Sequence, residues 1–294
     1  MSTSPVSNER SAPDATLPAA LRLGPTHLTV TDLDRSVSFY EDAIGLQLHR
    51  REDGVAALGA GGEDLLVLVE QPDAVRAGRH AGLYHVALLH PSRLELARAV
   101  KRLMVARTPI GGASDHGISE AIYLSDPDGN GLELAADRAR ERWGDLSDPS
   151  AIGPAPLDLP DLLGLVDDEA VHSRADGGLM VGHLHLHVGD VERGLLFYRD
   201  VLGFEPMTIF PSAAFVAAGG YHHHVAFNTW RGEGVGPAPA NAVGLRHWTV
   251  VIDEPALAAL GERVAAAGLE SEQRADGLLL HDPWRNAVLF ASAV

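Results

Sequence analysis

The sequence predicts an α+β fold built from four βαβββ modules, and three observations point there. The chain repeats itself without a gap: residues 27–46 read HLTVTDLDRSVSFYEDAIGL and residues 185–204 read HLHVGDVERGLLFYRDVLGF. His27, Leu28, Val30, Asp32, Arg35, Phe39, Tyr40, Asp42 and Gly45 recur as His185, Leu186, Val188, Asp190, Arg193, Phe197, Tyr198, Asp200 and Gly203. Such self-similarity marks a duplicated structural unit. A second strand–helix–strand pattern follows inside each half, at LYHVALL (83–89) and again at LRHWTVVI (245–252). The length of 294 residues suits two domains at about 150 residues each.

Each element can be justified in order. The alternation from His27 to Val30 suits a strand. Asp32 or Asp34 can cap a helix that buries Val37, Phe39, Tyr40 and Ile44, and Gly45 ends it. Strands follow at Leu46–Arg51, Val55–Gly59 and Leu65–Val69. After the strand at 83–89 comes a helix over Ser92–Met104, then two strands within AIYLSDPDGNGLEL (121–134), joined by an Asp-Pro-Asp-Gly-Asn turn. In the second half Pro255–Ala267 and LLLHDPWRNAVLF (278–290) repeat that plan. The modules therefore span 24–72, 82–136, 181–231 and 243–294. Residues 22–136 form a first half and 179–294 a second. The acidic, proline-bearing stretch 137–178 connects them, with a short helix near Asp161–Leu165, and residues 1–21 are expected to be a mobile tail.

Composition excludes several function classes. Hydrophobic residues make up 46% of the chain, enough for a sizeable core. With 23 Lys+Arg against 40 Asp+Glu the formal charge is -17, which repels phosphate backbones and anionic membranes. The absence of cysteine removes disulfides, thiolate nucleophiles, Cys-based zinc sites and iron–sulfur clusters. No apolar run is long enough to span a bilayer, and the N-terminal residues do not read as a signal peptide. A cytoplasmic protein is expected, with no nucleic-acid or membrane partner. The GAGG (59–62) and AAGG (217–220) runs sit between strands, so no helix N-terminus follows to hold a phosphate; they read as turns.

The paired modules, the strand-opening histidines, the "FY" helix ends with "LGF" and the DPDGNGLEL segment resemble the vicinal oxygen chelate superfamily of glyoxalases, bleomycin-resistance proteins and extradiol dioxygenases. The doubled architecture and GGYHHHVAFNTW (219–230) look most like its catechol 2,3-dioxygenase-like branch. The resemblance implies modules paired into two cup-shaped sheets with helices outside, and a divalent metal in a cup. In dioxygenases of this kind two His and one Glu hold Fe(II); Mn(II), Zn(II) and Ni(II) are the alternatives. The implied partners are a small aromatic or enediol substrate and O2, and a homo-oligomer is compatible with the family.

First-strand ligand slots fall by this alignment on His27, His85, His185 and His247, and last-strand slots on Val67, Glu133, His224 and Leu289. Only Glu133 is a carboxylate. Modules one and two would give His27, His85 and Glu133. Modules two and three would give His85, Glu133 and His185, and would add the acid/base histidine that the family carries in a segment like HHHVAF (222–227) and the tyrosine ten residues before the ligand Glu, here Tyr123. The second pairing is favoured, with His85, Glu133 and His185 as metal ligands. His223, His224, Tyr123 and, by a looser match, His116 are the catalytic candidates. Alternation places His222 and His224 on one face and His223 on the other, leaving the choice between His223 and His224 open. His183 and His187 are expected to be ordinary strand residues. The function implied is a metal-dependent extradiol ring-cleaving dioxygenase acting on catechol-type substrates. The alternatives are a glyoxalase-like isomerase or lyase and a non-catalytic small-molecule-binding protein of the resistance type.

Overall fold

The computed structural model describes residues 16–148 and 153–293. Among these residues seventeen strands form two sheets. In the first half they are β1 (Arg22–Val30), β2 (Gln47–Glu52), β3 (Val55–Gly59), β4 (Asp64–Glu70), β5 (Gly82–His90), β6 (Gly112–Asp115), β7 (Ser119–Ser125) and β8 (Gly131–Asp137). The connecting stretch adds β9 (Ala155–Pro156). The second half adds β10 (Met180–His187), β11 (Glu205–Phe210), β12 (Ala213–Ala217), β13 (Val225–Asn228), β14 (Gly244–Ile252), β15 (Ser271–Arg274), β16 (Gly277–His281) and β17 (Ala287–Ser292). The helices are α1 (Leu33–Phe39), α2 (Arg93–Val105), α3 (Leu159–Gly164), α4 (Val191–Leu195) and α5 (Glu254–Ala266).

The halves interleave. One sheet runs β15-β16-β17-β14-β1-β4-β3-β2 and joins the first module to the fourth; the other runs β11-β12-β13-β10-β5-β8-β7-β6-β9 and joins the second to the third. The seams are the antiparallel pairs β1–β14 and β5–β10. Both seams share one register: Thr26 faces Trp248 and His27 faces His247 in the first, as Leu184 faces Val86 and His185 faces His85 in the second.

The motifs that repeat are structural ties within each half. Asp32 and Asp190 cap α1 and α4 by accepting the N–H of Arg35 and Arg193. Each helix then widens into a π turn, Tyr40–Ile44 and Leu196–Val201. Gly45 and Gly203 follow with φ of 85° and 91°, a left-handed conformation that glycine adopts without strain. From these turns Tyr40 donates its hydroxyl to Asp126, and Tyr198 to Asp282, each at 3.1 Å. Asp126 also accepts the backbone N–H of Asp128 and Asn130, and Asp282 those of Trp284 and Asn286, so each aspartate organises its own turn. Burial pushes the Asp282 carboxyl up to about 6. The helix ends are closed from the next module: Arg102 on α2 donates to Ala43 O and Ile44 O, and Arg263 on α5 to Val201 O and Leu202 O. Sheet pairing thus joins the halves, while these polar ties join the two modules within each half.

The apolar core lies between the sheets and their helices, with Trp248, Tyr40, Tyr198, Phe204, Phe227 and Phe290 its largest buried side chains. Residues 1–15 of the expected tail lie outside the described residues; of the remainder, Leu17 and Leu21 are buried in the core, and Leu17 N donates to Gly203 O. This end of the expected tail is therefore packed, because two leucines find apolar surface. In the connecting stretch, α3 forms where a short helix is expected, while β6, between β7 and β9, and the edge strands β9 and β15 are short and have no alternating apolar pattern to announce them. Among the described residues no helix is long and apolar enough to cross a membrane.

Candidate metal centre

Three side chains converge in the sheet that joins the second and third modules. His85 comes from β5, Glu133 from β8 and His183 from β10. The β5–β8 pairing sets Glu133 beside Ala87, two residues along from His85 and so on the same face. That pairing needs Gly131: a Cβ there would stand 1.8 Å from the carbonyl oxygen of Tyr84. His85 Nε2 lies 3.0 Å, and His183 Nε2 3.3 Å, from the same oxygen, Oε2 of Glu133. One ligand atom from each residue lies within 4.8 Å of the other two, a set that can share one cation. All three side chains are buried.

The donor chemistry fits a divalent metal. His85 Nε2 is buried without a hydrogen-bond partner although a carboxylate oxygen is 3.0 Å away, because that oxygen stands off the direction an N–H···O bond requires. A buried polar atom left in this state costs free energy unless something else engages it. Burial by itself pushes the Glu133 carboxyl up, but the His183 and His85 imidazoles outweigh it and hold that carboxyl well below the usual carboxylate range. Two imidazole nitrogens and one ionised carboxylate make the facial set that leaves open positions on Fe(II)-type metals.

His185, expected among the ligands, is placed differently. Its Nε2 accepts a hydrogen bond from Asn228 Nδ2 at 2.9 Å, and its ring packs edge-on against His85 at 5.1 Å. The seam register explains the shift. Val86 faces Leu184, so the two-fold relation of the modules matches His85 with His183, and Ala87 with His185. His183 and His185 share a face of β10, and only the register distinguishes them. The same two-residue slip affects the last-strand slot of the third module. Ala226, facing His185, corresponds to Glu133, and His224 does not. His224 Nδ1 instead accepts the backbone N–H of Ala218, and its ring packs on Tyr221.

Strand alternation does not govern the histidine run, because β13 begins only at Val225. His222 and His223 both reach the cavity over the centre. The His223 ring lies 4.1 Å from that of His183. Burial first, then the neighbouring imidazoles, hold His223 well below its ordinary pKa, so it is neutral at pH 7. His222 Nδ1 lies 2.9 Å from His223 Nδ1, and its Nε2 lies 3.0 Å from Asp137 Oδ1. Tyr123 faces Glu133 across the β7–β8 pair, and its hydroxyl is 2.8 Å from His116 Nε2. Burial lowers the His116 pKa and raises that of Tyr123, leaving both neutral. The cavity that collects these groups has a volume of about 540 Å³.

Among the described residues the other sheet carries no such set. At the matching positions stand Pro25, His247 and Leu289, with His27 stacked on His247 at 3.9 Å. Burial lowers His27 to about 4 and His247 to about 3. His183 is the residue that the sequence reading passed over; its position seven residues before the helix cap Asp190, where the first module has Pro25 before Asp32, was the available signal.

The chain is similar to known proteins along most of its length. It is 40% identical over 274 residues to a catechol-2,3-dioxygenase of Bacillus subtilis (strain 168), covering 91% of this chain and 95% of that one. A lactoylglutathione lyase of Neisseria meningitidis is 30% identical over 123 residues, which is 39% of this chain. Among solved structures, a putative dioxygenase from B. subtilis superposes with a TM-score of 0.64 at 15% identity, over 95% of this chain and 86% of that one. Glyoxalase I from Zea mays superposes with a TM-score of 0.59 at 18% identity, over 93% and 92%. The family model described as the Glyoxalase/Bleomycin resistance protein/Dioxygenase superfamily matches residues 22–134 and 180–276, and with a match of that extent over two interleaved halves the chain belongs to that superfamily.

Proposed function

We propose that the protein is a metal-dependent extradiol dioxygenase that opens catechol-type rings, with His85, Glu133 and His183 holding the metal. The observation that carries this reading is the two-histidine, one-carboxylate set beneath an aromatic-lined cavity; the 40% identity to a catechol-2,3-dioxygenase supports it. Iron(II) is the metal this donor set suits. Bound there, the metal supplies adjacent open positions for the two oxygens of a vicinal diol and the redox chemistry that admits dioxygen.

The chain's own residues do the rest. Neutral His223, packed on His183, accepts a diol proton at one of its ring nitrogens and can return it to the product. Asp137, through His222, orients it. The Tyr123 hydroxyl, held by His116, hydrogen-bonds a substrate oxygen beside Glu133. Phe215, Trp230 and Ile118 help to exclude water from the site. The net change is cleavage of the ring bond next to the diol, with both atoms of O2 entering the ring-opened product. An isomerase reading is less favoured, because Glu133 is the one carboxylate among the described residues lining this cavity.

The test is anaerobic reconstitution with Fe(II), followed by O2 and a panel of catechols. A yellow ring-fission product is expected. No turnover across the panel, with iron verified in the protein, would sink the proposal.

A further inference from the structure

We infer that the substrate carries an uncharged, bulky apolar substituent on its diol-bearing ring, and that carboxylated catechols are excluded. This rests on the diol reading above and adds what the rest of the cavity selects.

The cavity, at about 540 Å³, falls in the range of about 300–1,000 Å³ that encloses drug-sized ligands, well beyond what a bare catechol fills. Beyond the metal ligands and their histidine and tyrosine neighbours, its wall is Ile118, Pro154, Phe210, Pro211, Phe215 and Trp230, with small hydroxyl side chains between them. No Lys or Arg lines it among the described residues. The four undescribed residues next to Pro154 are Pro149, Ser150, Ala151 and Ile152, which carry no ionisable side chain. Guanidinium groups on nearby elements are engaged elsewhere: Arg93 with Glu120 at 2.6 Å and Asp161 at 2.8 Å, Arg138 with Asp115 and with Glu120 at 3.2 Å.

A ring carboxylate entering this space would lose its hydration and meet no Lys or Arg side chain among the described lining residues. An apolar substituent meets the reverse condition. The ring is held at Glu133 and its substituent extends toward Phe210, Phe215 and Trp230, gaining from the area it removes from water. Trp230 is 54% exposed and packs edge-on against Tyr84 at 5.4 Å, which places it at the rim, where the far end of such a substituent would cover it.

The experiment compares four probes on the Fe(II)-loaded protein: 4-phenylcatechol and 4-methylcatechol against 3,4-dihydroxybenzoate and 3,4-dihydroxyphenylacetate. Two readouts are taken, anaerobic binding by quenching of tryptophan fluorescence and kcat/KM after admission of O2. The neutral probes are expected to lead the carboxylated ones by about 100-fold or more in both, as for a pocket asked to bury an unpaired charge, with 4-phenylcatechol ahead of 4-methylcatechol. Ser212→Arg, which puts a cation at the rim, should narrow that gap at least tenfold. Equal or better performance of the carboxylated probes overturns the inference, as does failure of all four to bind. Selective anaerobic binding of the neutral probes without turnover upholds the inference and removes the dioxygenase reading instead.

Discussion

The two sheets share a seam register and differ in what they place along it. In one, His85 and His183 stand at matched positions with Glu133 beside them; in the other the same positions hold His247, Pro25 and Leu289. Both cups hold buried or half-buried histidines, and His27 on His247 is even the closer ring contact. Burial and abundance of imidazole therefore do not make a metal centre. The difference is a carboxylate in register, plus one first-strand position that can carry a ligand. Among the described residues His247 has no acid partner in reach, and burial keeps it and His27 neutral. Glu133 is kept ionised by the two imidazoles that converge on it.

The comparison breaks most readily at Glu133. Glu133→Ala should cost more than 100-fold in metal affinity and abolish turnover, since losing even a residue behind a ligand costs 10–100-fold; elemental analysis after dialysis against a weak chelator measures it. An unchanged metal content would show that the centre lies elsewhere. The next test separates neighbours on one strand. His183→Ala should weaken metal binding by more than 100-fold, and His185→Ala by about tenfold or less, because His185 acts through packing on His85 and its bond to Asn228. The reverse order would restore His185 as the ligand.

A third measurement separates buried histidines that hold a metal from those that serve the core. His90 lies five residues beyond His85 on β5, on the opposite face, and neither ring nitrogen has a hydrogen-bond partner. Burial lowers its pKa to about 3 from 6.5. A lowered folded pKa means that the unfolded chain binds the proton first. The stability tied to neutral His90 is thus complete above pH 6.5 and declines as pH falls toward 3, by at most about 1.4 kcal/mol per pH unit. His90→Met should make urea unfolding less pH-dependent across that window while metal content at pH 7 stays unchanged. An identical pH slope in the variant would count against the assignment. The smallest effect belongs to the other cup. His27→Ala should leave metal content intact and cost about 1 kcal/mol of stability in the same unfolding assay, the contribution of a stacked, partly buried side chain. Loss of metal there would refute the contrast between the cups.

The modules were legible because their signals are local. A cap aspartate, an "FY" helix end and an Asp-Pro turn recur at fixed spacing, and each proves to be a hydrogen-bonded tie inside one half. That Glu133 and His85 lie together was legible for a related reason, since β5 and β8 belong to one module and their spacing carries the geometry. His183 was not. Side chains two apart on a strand share a face, so period-two reasoning treats His183 and His185 alike, and only the pairing with a strand about 95 residues away separates them. The choice between His223 and His224 stays open in the sequence for a different reason: the chain bends before β13, so alternation has no strand on which to act.

The interleaving also has a consequence for the order of events during synthesis. His85 and Glu133 leave the ribosome in the first half of the chain, together with β6, β7 and β8, but β5 has no partner along its seam edge until β10 emerges with His183. A nascent chain stopped before residue 180 holds two of the proposed ligands on an open sheet edge and no third. On the proposed assignment, secure metal capture waits for the second half, which brings His183 and closes the exposed edge in a single pairing step.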